Sequence, residues 1–324
     1  MPAPPGSKSN QNADNDTNLW KELGYEAPTT DVDLMERICA VTSAATSVKF
    51  TPSLRENPPP LVPVDRIRKG LNICPHRLNG CFLLELDAAT ILKVGETVRM
   101  GEAEAMILVR KQTSVPVPRV LNAYVIEEIG FIVMEKVPGD ELAETLPRAV
   151  KESLAKELRG YIQQWRQIRG PFFGTVDGGP CQDVVFKHAW ENKEYDYGPF
   201  TSRQEFNLGM VEALRKSRPN LTLETEEDTL FAEELLGSGV DQADTRVFTH
   251  GDLDQSNIMV RDGKISGIID WGAAGYSVPE REYFGLRWPT LDLDWRELST
   301  SILPSDGYEF WKNVNREMMR YTCI

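Results

Sequence analysis

Phe248-Thr249-His250-Gly251-Asp252-Leu253-Asp254-Gln255-Ser256-Asn257-Ile258-Met259-Val260-Arg261-Asp262-Gly263-Lys264-Ile265-Ser266-Gly267-Ile268-Ile269-Asp270-Trp271 is the stretch whose reading decides the fold. Two short apolar, β-branched runs, 258–260 and 265–269, flank Asp262-Gly263. Asp-Gly between such runs is a strong hairpin signal, because the Gly takes the positive φ that a two-residue turn requires. In a hairpin the residue entering the first strand and the residue leaving the second lie side by side. The spacing therefore predicts Asn257 beside Asp270, with Asp252 on the loop just before. Three oxygen donors converging at one sheet edge suit a hard cation such as Mg²⁺, which binds through few protein ligands and leaves room for phosphate. Any one of these residues alone would pass for a turn former or a cap. Together, across a hairpin, they mark a site.

The chain has 324 residues, enough for two lobes that each bury a core. The first 30 residues are polar and rich in Pro and Asn, with little to bury, and are expected to be disordered. They contain no apolar run that could serve as a signal peptide or anchor, and no later stretch approaches the length of a membrane span. The five cysteines are scattered, with no Cys-x-x-Cys pair, so neither zinc nor a disulfide framework is indicated and a cytoplasmic setting is the expectation. A formal net charge of −13 argues against a nucleic-acid partner, which would call for clustered Lys and Arg.

Upstream, apolar spacing predicts a short helix over 31–45, a proline-rich connector, and a second brief helix over 64–71. The runs 81–86 and 89–94, separated by Asp87-Ala88, predict a hairpin that carries Lys93 near its end. The next helix, 98–112, places Glu102 with Ala105, Met106 and Val109 on an inward face. Glu104 shares a face with Ile107 and Leu108 and competes for the same role. A carboxylate turned inward needs a partner, and Lys93 is the natural candidate. Strands are expected at 124–126 and 131–134, followed by a turn through Glu135-Lys136-Val137-Pro138-Gly139. A long amphipathic helix over 151–169 has Leu154, Leu158, Ile162 and Trp165 on one stripe. The irregular 172–199 segment, rich in Gly and aromatics, is expected to be a lid or substrate-facing loop, with a surface embellishment as the alternative. Helices are predicted over 202–216, 226–236 and 306–321.

His250-Gly251-Asp252 with Asn257 five residues on, the hairpin, and the closing Ile269-Asp270-Trp271 together resemble the aminoglycoside phosphotransferase and choline kinase family. The resemblance covers roughly 81–288 and is sharpest between His250 and Trp271. It implies an α+β, bilobal protein-kinase-like fold: a small antiparallel-sheet N-lobe with one key helix, and a larger, mostly helical C-lobe. After the tail, residues 31–137 would form the nucleotide-binding lobe and 138–324 the catalytic and substrate lobe. It further implies that Asp252 orients the acceptor hydroxyl and takes its proton, that Asn257 and Asp270 hold Mg²⁺, and that His250 braces the loop. Lys93, paired with Glu102, would touch the α and β phosphates of ATP. Glu135 to Val137 would be the hinge whose backbone reads adenine. Here the resemblance favours Glu102 over Glu104.

Two departures from protein kinases stand out. No Gly-x-Gly-x-x-Gly loop precedes the first strand, only Leu78-Asn79-Gly80, and no activation loop fits after Asp270. Gly272 stands where the family often has Glu. The implied activity is ATP-dependent transfer of the γ-phosphate to a hydroxyl of a small molecule, with Asp254, Glu280 and Glu282 as candidate acceptor-facing carboxylates. Asp292 and Asp294 are further acidic candidates, although ordinary solvated carboxylates would read the same. Two alternatives share this ATP site: other chemistry such as nucleotidyl transfer or condensation, and nucleotide binding without catalysis.

Overall fold

The computed structural model describes residues 31–75, 80–186, 196–239, 245–288 and 290–320. The expected disordered tail, the Leu78-Asn79 part of the phosphate-covering turn, the centre of the 172–199 loop and Cys323 lie outside them.

The N-terminal part is one antiparallel sheet of six strands: β1 (Lys49–Phe50), β2 (Leu71–Asn72), β3 (Cys81–Asp87), β4 (Thr90–Gly95), β5 (Val120–Ile126) and β6 (Ile129–Glu135). Their spatial order is β1-β5-β6-β4-β3-β2. Side chains alternate between the two faces, as the pleat requires. Leu92 and Val94 of β4, with Phe131 and Val133 of β6, pack under helix α1 (Asp31–Ser43) and helix α2 (Val64–Lys69). The residues between them face the other way. Ile132 meets Ala105, Met106 and Val109 of helix α3 (Met100–Gln112), and Lys93 shares that face. The same period of two that buries Leu92 and Val94 therefore aims Lys93 at α3.

The C-terminal part is mostly helical. Helix α4 (Arg148–Trp165) lays Leu154, Leu158, Ile162 and Trp165 into a core shared with Trp271 and with Trp295 and Ile302 of helix α8 (Leu293–Ile302). It begins three residues earlier and ends four residues earlier than the 151–169 span expected from the sequence. Residues 166–169 leave the helix to bridge strand β8 (Val247–Thr249): Phe248 N–H donates to Ile168 O at 3.1 Å, and Arg169 bridges Val247. A second core joins helices α5 (Arg203–Lys216), α6 (Glu226–Gly237) and α9 (Tyr308–Met319) through Phe206, Leu214, Leu235 and Trp311. Between the cores run β7 (Asp140–Glu141), the hairpin β9 (Ile258–Arg261) and β10 (Lys264–Ile268), β11 (Gly275–Ser277) paired with β8, and helix α7 (Arg281–Arg287). This is the α+β, two-lobed protein-kinase-like fold. Among the described residues no helix is long and apolar enough to cross a membrane.

Arg261 pairs with Lys264, and Asp262 and Gly263 take φ of 53° and 72°. Both central residues are left-handed, the turn whose twist matches that of the strands. Nothing lies within 4 Å of a Cβ built at Gly263, so a side chain there meets only backbone strain. Gly263→Ala is expected to cost about 1–2 kcal/mol, read as a lower urea midpoint with unchanged slope.

Candidate active site

The hairpin delivers its end residues with one adjustment to the expected register. A bulge between Ile265 and Gly267 inserts an extra residue into β10. A two-residue turn without the bulge would set Asn257 opposite Ile268; with the extra residue Asn257 lies opposite Ile269, whose N–H donates to Asn257 O at 3.0 Å, one residue short of the expected Asp270. Asp270 reaches the site because its own backbone is left-handed, φ 57° and ψ 61°, a conformation that Asp tolerates better than most residues. Trp271 secures this turn. It is fully buried, its indole N–H donates to Ile268 O at 2.9 Å, and it packs against Trp165, Phe248 and the His250 ring, the last with centroids 4.5 Å apart.

Lys93 joins the lobes. Its ammonium donates to Glu102 Oε1 and Oε2, each at 2.8 Å, and to Asp270 Oδ1 at 2.8 Å. Burial disfavours the cation, but the Glu102 and Asp270 carboxylates outweigh it and hold Lys93 above its ordinary pKa. The competitor Glu104 is engaged elsewhere: Thr51 Oγ1, Ser53 N–H and Ser53 Oγ donate to it at 2.6, 2.8 and 2.6 Å. A Cβ at Gly272 would stand 3.4 Å from Glu102 Oε2 and 3.5 Å from Asp270 Oδ1, so the missing side chain leaves one flank of the triad open.

The loop that carries Asp252 and Asn257 enters from β8. Gly251 has φ +83° and passes so close to the Trp271–Ala273 turn that a Cβ would fall 2.4 Å from Ala273 O. His250 is buried and braces the loop in both directions. Its N–H donates to both Glu282 oxygens (3.2 and 2.9 Å), Nε2 lies 2.9 Å from Ile269 O, and Asp252 N–H donates to Nδ1 at 3.3 Å. These partners call for a neutral ring protonated on Nε2, in keeping with burial, which lowers its pKa. Asp252 opens onto the cleft, yet the protein packed around it pushes its carboxyl above the ordinary range. Asn257 is tied to it: Nδ2 donates to Asp252 O at 2.8 Å, leaving the amide oxygen for another partner.

A cleft of about 580 Å³ between the lobes is lined by Lys93, Glu102, Asp252, Asn257 and Asp270 on one side and by Glu135 and Val137 on the other. Ile91, Met134, Met259 and Ile269 supply apolar walls. Glu135 N–H donates to Arg119 O and Lys136 N–H to Ala89 O, so neither is available to a ligand. Among the described residues, no three or more His, Cys, Asp or Glu side chains cluster as a metal cage. An amide oxygen and a carboxylate at one cleft edge fit Mg²⁺ all the same, since that ion takes one or two carboxylates and completes its shell with water and phosphate.

Asp254 lines the cleft and accepts from Ser256 N–H and Oγ at 2.9 and 2.7 Å. Glu280 and Glu282, expected beside the acceptor, are not brought there. Arg203 Nη1 and Nη2 donate to Glu280 at 3.2 Å, and Glu280 lines a different C-lobe cavity with Glu234 and Asp306. Glu282 is fully buried under His250. The helix periodicity of α7 decides which residue faces the loop, and acidity alone gave no such direction. Several other residues around the loop carried no sequence signal. Arg281 donates to Asp183 at 2.6 and 2.7 Å, fastening the 172–199 segment to α7. Gln255 and Thr290 meet Asp292, an acidic candidate from the sequence, behind the loop 252–257.

Burial drives Glu282 up to about 7, against the opposing pull of Arg166 and the His250 N–H. A carboxyl raised in the folded state makes the native chain hold more protons than the unfolded one. Stability from this group is thus greatest below the ordinary glutamate range, near about 4.3, and is lost as pH rises to about 7. In melting curves from pH 5 to 8, Glu282→Gln is expected to gain melting temperature relative to the parent as pH rises. A constant difference would contradict the assignment.

A family model described as "Phosphotransferase enzyme family" matches residues 82–297. An aminoglycoside 3'-phosphotransferase of Staphylococcus aureus is 37% identical over 75 residues, 18% of this chain and 28% of the relative. One of Enterococcus faecalis is 66% identical over 29 residues, 9% of this chain and 11% of the relative. The chain thus spans 28% of the length of one of these curated relatives and 11% of the other. Among solved structures, aminoglycoside phosphotransferase APH(4)-Ia, as a thermostable mutant with ADP and hygromycin B, aligns at TM-score 0.50 and 16% identity, covering 74% of this chain and 78% of that one. The gentamicin complex of APH(2")-IIa aligns at TM-score 0.51 and 16% identity, covering 89% and 85%. At such identity the likeness is one of fold, and it is the family model, spanning two thirds of the sequence, that assigns kinship: this chain belongs to the phosphotransferase enzyme family.

Proposed function

We propose that this protein is an ATP-dependent phosphotransferase that moves the γ-phosphate to a hydroxyl of a small molecule. The observation that carries the reading is the ion triad Lys93–Glu102–Asp270, at 2.8 Å on each contact, opening onto the same cleft as Asp252 and Asn257. Phosphoryl transfer asks a protein mainly for positioning and charge neutralisation, and this arrangement offers both.

In this reading adenine lies against Ile91, Met134 and Met259, read by the hinge at Glu135 and Val137. Lys93 holds the α and β phosphates while Glu102 fixes its direction. Asn257 and Asp270 would hold Mg²⁺, which neutralises charge on the β and γ phosphates. Asp252 accepts the hydrogen bond of the acceptor hydroxyl and lines its oxygen up with the γ-phosphorus. Its raised pKa makes it a better proton acceptor than an ordinary aspartate, though orientation is its larger contribution in a loose transition state. His250, neutral, keeps the loop in register. Asp254, beside Asp252 in the cleft, is the acceptor-facing carboxylate, and amine- or sugar-bearing metabolites are the acceptors it suits. A cytoplasmic location, where ATP is supplied, completes the reading.

The test is ADP release against a panel of hydroxylated amines, sugars and natural products, with and without Mg²⁺. The parent should release ADP and phosphorylate at least one acceptor. Asp252→Ala should lower turnover by at least about 100-fold, the usual scale of general acid–base assistance, with nucleotide affinity retained. Asp270→Ala should lose the Mg²⁺-dependent part of nucleotide affinity. Release of AMP or pyrophosphate instead of ADP, or parental turnover by Asp252→Ala, would defeat the proposal.

A further inference from the structure

Behind the catalytic loop lies a polar cluster that touches neither the nucleotide cleft triad nor the acceptor side. Gln255 opens the short 3-10 turn Gln255–Asn257 that separates Asp252 from Asn257. Its side chain is turned away from the cleft and is screened from solvent, as are those of Thr290, Asp292 and Lys151. Gln255 Nε2 donates to Asp292 Oδ2 at 3.3 Å, and Gln255 Oε1 accepts from Thr290 Oγ1. Asp292 is held in turn from three directions. Lys151 Nζ lies 2.5 Å from Oδ2, and the N–H groups of Asp294 and Trp295 donate to Oδ1 at 3.0 and 3.2 Å, so the carboxylate caps α8. Lys151 is anchored by donating to Glu144 O at 2.8 Å. The carboxylate that the sequence offered as a further acceptor-facing candidate thus holds an ammonium group of its own chain.

We propose that Gln255 and Asp292 are positioning residues that set the metal-binding geometry of Asn257 from behind. This inference rests on the phosphotransferase reading. A 3-10 turn of three residues has little internal stability, and Asn257 at its end is tied back to Asp252 O by its Nδ2 and to Asp254 O by its N–H. The amide of Gln255 has its donor engaged by Asp292 and its acceptor by Thr290, two residues of one segment that are themselves linked by Asp292 N–H to Thr290 Oγ1 at 3.3 Å. It therefore fixes the rotation of the turn, and with it the direction in which the Asn257 amide oxygen points. The ion pair with Lys151 gives Asp292 a rigid seat on α4 and α8, so the loop inherits its placement from two helices of the core. Outer residues of this kind orient the groups that touch a metal, and removing them typically costs 10–100-fold in metal affinity or activity.

The test uses the full chain and a non-hydrolysable ATP analogue, so no acceptor need be known. Nucleotide affinity is measured by calorimetry with Mg²⁺ and with chelator. Gln255→Ala should lose roughly tenfold in the Mg²⁺-dependent affinity with its Mg²⁺-free affinity unchanged and its melting temperature close to the parent's, because the Lys151–Asp292 pair is untouched. Gln255→Glu keeps the shape but sets a carboxylate against Asp292, and should behave like Gln255→Ala. Thr290→Val should move affinity in the same direction by less. Hydrogen exchange over 252–258 in the nucleotide-free protein should quicken in Gln255→Ala. If the parent shows no Mg²⁺-dependent nucleotide affinity, the phosphotransferase reading falls and this inference with it. If the parent shows it and Gln255→Ala and Gln255→Glu both retain it, this inference alone is overturned.

Discussion

The ammonium of Lys93 is the point through which the structure is organised. It sits on a strand of the N-terminal sheet, pairs with a carboxylate on α3, and reaches across the cleft to the residue that ends the C-terminal hairpin. An ammonium this deeply buried is tolerable only when paired and hydrogen-bonded, so the relative placement of β4, α3 and the hairpin is mutually constrained. Replacing any of the three partners by an apolar residue would strand a charge. That makes the triad costly to maintain for stability alone and more readily understood as a device for presenting charge to a ligand.

The surroundings of the triad follow from the need to hold charged groups in place where water can enter. Trp271 fills the space between Trp165, Phe248 and His250 and lets Asp270 adopt a left-handed backbone without collapse of the turn. His250 satisfies donors and acceptors on both sides of the loop and remains uncharged. Glu282 and Asp292, neither of which faces the cleft, act on the loop from below and behind. The site therefore has two layers: groups that open onto the cleft, and carboxylates in the wall that bind backbone N–H groups or neighbouring side chains.

Much of this could be read in the chain before any coordinates, and the reason is locality. The hairpin, its Asp-Gly turn, the alternation that turns Lys93 away from Leu92 and Val94, and the inward stripe holding Glu102 each depend on residues a few positions apart. Even the choice between Glu102 and Glu104 could be narrowed, although it took the Thr51–Ser53 turn to show where Glu104 goes. The pairing of Asn257 with Asp270 overshoots a two-residue turn by two positions, and the bulge, which has no strong sequence mark, makes up only one of them.

The sequence by itself determined the two hairpins, the longer helices, the α+β two-lobed class and the identity of the charged residues at the cleft, because hydrophobic period and turn chemistry are short-range properties, whereas the short helices α7 and α8 and the two- and three-residue strands left no such pattern. Only the tertiary structure decided what the remaining carboxylates do. Glu280 meets Arg203, Glu282 meets the His250 N–H, Asp183 meets Arg281, and Asp292 meets Lys151. Each partner is distant along the chain, and a carboxylate carries no local signal of which cation or N–H group folding will bring within 3 Å of it.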